Sequence, residues 1–202
     1  MLPTRPPGLR LNEASKAAIV VEMFQDICCP FSKIMYQTVR HEVIPGLLAK
    51  HLCEKVGFVW QSVPQPWHPQ SGLMHDALMA AHLVDSSRVA IYIDEVFARQ
   101  DDFFDDKTKH LTRVQIYDRL IQISGECGYD ISVMTELLDM KKVAGNSGLE
   151  QVTQQLKWAV KYHRVRGVHV TPTVFINGIE ADDVSSNWNS AQWLNKLEPM
   201  LA

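Results

Sequence analysis

The stretch Phe24-Gln25-Asp26-Ile27-Cys28-Cys29-Pro30-Phe31-Ser32-Lys33 decides the fold of this 202-residue chain. Before it, Lys16 to Gln25 is a short apolar run rich in β-branched residues, as a buried strand requires. After it, Phe31 to Lys50 carries Ile34, Met35, Val39, Val43 and Leu47 near helical spacing, with Pro45 and Gly46 expected to kink or split the helix. The quoted residues are thus a strand-to-helix junction. Cys29 falls at the helix N-cap or first turn and Pro30 just inside, where a fixed φ suits the first helical position. Free amides and the positive end of the helix dipole favour a thiolate over a thiol at such a place. Ser32 lies one turn on, where its hydroxyl could point back at the same sulfur.

Working outward, Gly57 to Val63 is a second strand, stopped by the stiff stretch Pro64-Gln65-Pro66-Trp67-His68-Pro69, which could lead into a lid or line a substrate groove. Residues 71–166 are helical in pattern. Leu73, Ala77, Ala80, Ala81 and Val84 mark one helix, and Val89, Ile93, Val96 and Phe97 the next. Leu111, Val114 and Ile121 suggest a third, and Ile131, Met134, Leu137 and Leu138 a fourth. Ser147-Gly148-Leu149-Glu150 has the form of a capping box opening a helix through Val160. Strand chemistry returns at Thr173 to Ile176, Asn177-Gly178 is a two-residue hairpin turn, and Ser190 to Leu201 closes the chain as a helix. A strand–helix–strand unit separated by helices from a hairpin and helix can pair into one four- or five-stranded sheet.

The junction is similar to the active-site stretch of DsbA-like thioredoxin-fold proteins, which read aromatic-x-D-x-x-C-P-F-C. A second match, Gly167-Val168-His169-Val170-Thr171-Pro172-Thr173-Val174-Phe175-Ile176-Asn177-Gly178, resembles that family's cis-proline loop and following hairpin. The resemblance implies an α/β thioredoxin-like fold with a helical insertion: a flexible N-terminal segment at 1–16, a thioredoxin-like domain from 17–70 and 167–202, and an inserted helical subdomain at 71–166. It implies that Thr171-Pro172 lies beside Cys29, that Cys29 and Ser32 form the catalytic pair, and that Pro30, Phe31, Val170, Thr171 and Pro172 contact substrate. Ser32 stands where a dithiol enzyme has its second cysteine, so no intramolecular disulfide can be stored there. The pattern also resembles monothiol glutaredoxins and kappa-class glutathione transferases, in which a serine activates glutathione. Three activities follow as expectations: a monothiol thiol–disulfide oxidoreductase, a kappa-like glutathione transferase, or a redox-inert binding protein. No cofactor is required; glutathione is a candidate co-substrate, and protein or small-molecule thiols and disulfides are the expected partners.

Composition bounds the rest. A formal net charge of −3 gives no reason to invoke nucleic acid or an acidic membrane, and the acidic group Asp101, Asp102, Asp105 and Asp106 reads as a solvated loop or helix end. Residues 1–16 lack the apolar core of a signal peptide, and no later stretch suits a bilayer span. Cys28, Cys29, Cys53 and Cys127 are too few and irregular for a disulfide framework, so reduced thiols in a cytoplasmic setting are expected; a presequence already removed would leave no trace. Cys28 is a weak candidate for a resolving thiol, since a vicinal disulfide needs strained geometry. Cys53 and Cys127 read as packing residues. His75 and His82 are seven apart on one helix, which is too little for a metal site, and none is expected. His169 is placed near the site or on the surface.

Overall fold

The computed structural model of the protein describes residues 2–14 and 17–201. Its centre is a mixed five-stranded sheet of β1 (Leu9–Arg10), β2 (Ile19–Gln25), β3 (Val56–Ser62), β4 (Thr173–Ile176) and β5 (Ile179–Glu180), ordered β1-β3-β2-β4-β5. β2 pairs parallel with β3 and antiparallel with β4, Met23 lying opposite Trp60 on one side and Val174 on the other. As the central strand it is covered on both faces, which is why its sequence is a continuous apolar run rather than an alternation. Lys16, where the sequence begins this strand, lies outside the described residues.

Helix α1 (Pro30–Thr38) follows β2. It runs through a π turn at Val39–Val43, closed by the Ile44 N–H on the Val39 carbonyl, into α2 (Ile44–Ala49). Pro45 has no N–H to give the preceding turn, and the wider turn just before it absorbs that loss without ending the helix. Helices α3 (Ser71–Val84), α4 (Val89–Ala98), α5 (Asp105–Thr108), α6 (Arg113–Glu126), α7 (Ile131–Leu137) and α8 (Glu150–Val165) form the insertion, and α9 (Ser190–Leu197) closes the chain. The hairpin turn is as read, with both Asn177 and Gly178 at positive φ. The capping box at Ser147 is not formed. Gly148 sits at φ +73 and α8 begins only at Glu150, with the Leu149 N–H donating to Thr153 Oγ1 at 2.7 Å. Reciprocal capping boxes occur instead at Thr112–Gln115 and Asn189–Gln192.

One buried cluster runs unbroken from the sheet into the insertion. Trp60 of β3 packs edge-on to Tyr36 of α1 at 5.8 Å between ring centroids and lies 5.8 Å from Phe97 of α4. Each such fully buried side chain contributes about 1.5–3 kcal/mol by leaving water. A smaller cluster of Phe24, Val63, Val168 and Phe175 covers the opposite face. There the buried Glu22 accepts from Gln61 and from the Tyr162 hydroxyl, fastening α8 to the sheet.

The N-terminal segment departs from the expected flexibility. Leu9 and Leu11 are buried, β1 pairs antiparallel with β3, and Asn12 bridges the Val56 carbonyl and the Phe58 N–H. Two residues are too short for any periodicity to register in sequence, and the pairing is imposed by the edge of β3. Gly8 makes the close approach: it adopts φ +125, and a Cβ there would lie 2.5 Å from Val59 Cγ1. Gly8→Ala should therefore cost about 1–3 kcal/mol, read from the midpoint of urea unfolding. An alanine variant as stable as the parent would contradict this docking of β1.

Candidate active site

Cys29 is the N-cap of α1, with φ −80 and ψ 123 and Pro30 at the first helical position. Its side chain makes no capping bond to the helix, so the sulfur is left for other partners. The thiol donates to the Thr171 carbonyl oxygen at 3.6 Å, across 142 residues of chain. The Thr171–Pro172 peptide is cis, and Thr173 Oγ1 closes the loop on the Val170 carbonyl at 2.9 Å. Cys29 is only 5% exposed, but Phe31 and Val170 beside it are 57% and 54% exposed, an apolar rim around a nearly buried sulfur. Pro30 is exposed, and Thr171 and Pro172 are half-buried. The structure thus brings Cys29, Pro30, Phe31, Val170, Thr171 and Pro172 to one place.

Ser32 has a partner that the sequence does not suggest. Its side chain is fully buried and its Oγ accepts the backbone N–H of Asp26 at 3.2 Å. Among the described residues no hydrogen bond joins it to Cys29. The reason is the tight turn before the helix, which leaves the Asp26 amide inside and in need of an acceptor. Ser32 is therefore part of the scaffold of the loop.

The largest feature that sequence reasoning missed is a buried polar cradle around Asp26, which is wholly inaccessible. Its Oδ1 accepts the Cys28 N–H at 2.9 Å and the Ser71 hydroxyl at 2.5 Å, with His75 Nε2 at 3.4 Å. Its Oδ2 accepts the Gln65 N–H at 3.2 Å and meets His68 Nδ1 at 2.7 Å. Burial alone would raise this carboxyl; hydrogen bonding and charge from His75, then Ser71 and His68, outweigh it and bring the pKa down to about 2. Asp26 is an anion held by partners from the proline-rich loop and the first helix of the insertion. The next residues are gripped from the same side, with Gln70, just before α3, donating to Cys28 Sγ at 3.0 Å and Gln100, just after α4, donating through Nε2 to the Ile27 carbonyl at 3.0 Å. Gln65 Nε2 reaches the His169 carbonyl at 3.3 Å, tying that loop to the one that carries Pro172. The D-x-x-C spacing and His68 among prolines were the available signals; nothing local in the sequence pairs them.

The two neighbouring cysteines are made chemically different by this cradle. Cys28 is 1% exposed, and burial first, then the charge of Asp26, push its thiol up to about 12. It is a protonated, enclosed group and a poor resolving nucleophile. Cys127 is likewise raised to about 11, chiefly by burial, and Cys53 is half-buried against Asn12. His82 stands apart from His75 and the cradle, burial lowering its pKa, and the His169 side chain is exposed. Among the described residues no group of three or more His, Cys, Asp or Glu is disposed to hold a metal ion, and no helix is long and apolar enough to cross a membrane.

No curated protein matches the sequence. A candidate protein-disulfide isomerase from Pseudomonas syringae superposes with a TM-score of 0.73 at 21% identity, over 96% of this chain and 98% of that one. Oxidised BdbD from Bacillus subtilis gives 0.70 at 17% identity, over 97% and 92%. The thiol-disulfide exchange protein alpha-DsbA2 from Wolbachia pipientis gives 0.66 at 13%, over 96% and 86%. At these identities the likeness is one of fold. The thioredoxin family model matches residues 13–196, so this chain belongs to the thioredoxin family and has the DsbA-like form of its fold.

Proposed function

We propose that the protein is a monothiol thiol–disulfide oxidoreductase acting on mixed disulfides, with glutathione as a co-substrate. One observation carries the reading: a single sulfur, Cys29, caps a helix 3.6 Å from the carbonyl of Thr171, while its neighbour Cys28 is enclosed and residue 32 has no sulfur. Structural relatives named for disulfide isomerisation and thiol–disulfide exchange support it. In the forward step the Cys29 thiolate attacks a disulfide R–S–S–R′. A bond forms between Sγ and one substrate sulfur, the substrate S–S bond breaks, and R′S⁻ leaves and takes up a proton. An external thiolate then attacks the mixed disulfide, forms a new disulfide and releases Cys29 as thiolate. The backbone of Val170 and Thr171 would receive the extended substrate, and Phe31 and Val170 would cover its apolar parts.

Incubation with oxidised glutathione followed by intact mass and peptide mapping should show one glutathione adduct, on Cys29, absent from Cys29→Ala. Cys28 and Cys127 should stay unmodified because both are buried with raised thiol pKa values. No adduct, or one that persists in Cys29→Ala, would remove this reading.

A further inference from the structure

We infer that His68 is the general base and acid of the exchange, oriented by Asp26. This rests on the thiol–disulfide reading above and extends it to the proton. A chain without a second cysteine must be released by a thiol from solution, and a thiol attacks only after losing its proton. Nothing in the Cys29 helix cap supplies a base. The cradle does.

His68 Nδ1 lies 2.7 Å from Asp26 Oδ2, and an ionised carboxylate can only accept, so Nδ1 carries the hydrogen. That leaves Nε2 as the basic nitrogen of the neutral ring. It makes no hydrogen bond among the described residues, and the side chain is 22% exposed, so a path to solvent exists. The placement is against the loop that carries the reacting sulfur: His68 holds the Asp26 side chain, the Cys29 N–H donates to the Asp26 carbonyl at 2.9 Å, and Gln65, three residues before His68, bonds the loop that carries Thr171. Trp67, 59% exposed and 6.2 Å from the imidazole between ring centroids, screens one side of it. The titratable and charged groups around this position are Asp26 and His75 in the cradle, Cys28 and Cys29 in the loop, and Asp105 at the start of α5, close enough to Cys28 to raise its thiol. None of them combines an accessible nitrogen with a fixed tautomer.

The step balances. His68 Nε2 takes the proton of an incoming thiol RSH, and RS⁻ attacks the glutathione sulfur of the Cys29 mixed disulfide. The Cys29–glutathione bond breaks, RS–S-glutathione departs, and Cys29 leaves as thiolate. The incoming thiol is oxidised and Cys29 is reduced. The proton on His68 then passes to the thiolate expelled in the next exchange.

His68→Asn tests this, because its amide N–H can still donate to Asp26 while the base is gone. Protein carrying the Cys29–glutathione adduct is chased at neutral pH with 2-mercaptoethanol, which is mostly protonated, or with thionitrobenzoate, which is already ionised, and the remaining adduct is weighed. The variant should slow the first chase by on the order of a hundredfold and leave the second unchanged. Equal slowing of both, or of neither, overturns the role of His68 while leaving the exchange reading intact. Failure of the unmodified protein to form the adduct overturns both. If His68→Asn does not fold, His68→Gln is put through the same two chases, and equal slowing of both or of neither overturns the proposal.

Discussion

Asp26→Ala is expected to destabilise the protein by about 3–5 kcal/mol, the usual consequence of removing one side of a buried charged network. The carboxylate, itself wholly buried, accepts the Cys28 and Gln65 N–H groups and the Ser71 hydroxyl and pairs with His68 and His75. Alanine would leave these donors buried and unmet, at about 1–3 kcal/mol each before relaxation. Denaturant unfolding at neutral pH measures the loss, and a change under about 1 kcal/mol would contradict the cradle. The acid side of the stability profile provides a second reading. The folded carboxyl is lowered from an ordinary 3.8 to about 2, so its contribution is complete above 3.8 and is lost as pH falls from there toward 2. A shift of that size is worth about 2 kcal/mol. Asp26→Asn, which cannot titrate, should start less stable and lack this limb of the acid transition.

Ser32→Cys should convert the site from one that holds a mixed disulfide to one that resolves it. Residues three apart on a helix are neighbours across one turn, close enough for a disulfide to form with modest adjustment. The introduced thiol would attack Cys29 Sγ, expel glutathione and close an internal disulfide, two hydrogens lighter than the reduced variant. A tethered thiol acts at an effective concentration far above millimolar solution thiol, so the adduct lifetime should fall by at least about a hundredfold. Insulin reduction, which requires a dithiol, should appear with it. Losing the Ser32 Oγ as acceptor for the Asp26 N–H costs about 1 kcal/mol, small enough for the variant to fold. A folded variant that keeps a stable adduct would show that the turn holds residue 32 away from Cys29 in solution.

The junction also shows why the match to a familiar motif reads the backbone well and the side chains less so. The spacing of Cys29 and Pro30 places them at a helix start, and the structure places them there. The same spacing suggests that Ser32 faces Cys29, but it does not reveal that the Ser32 hydroxyl answers a backbone amide that only the folded turn buries. Cys28 and Cys29 are adjacent letters with opposite surroundings. One lies against Gln70 of the proline-rich loop and the other against Thr171, late in the chain.

By itself the sequence determined the order of elements. The apolar run of β2, the proline at the helix start, the Asn177-Gly178 turn and the helical periodicity of residues 71–166 are local signals. Local backbone preference and burial pattern are enough to set strands, helices and turns. Tertiary structure alone decided the strand at Leu9–Arg10, the orientation of Ser32 and the cradle that joins Asp26 to residues 39 to 49 positions away. Those pairings rest on a buried carboxylate seeking donors wherever the fold brings them, and no window of neighbouring residues contains that information.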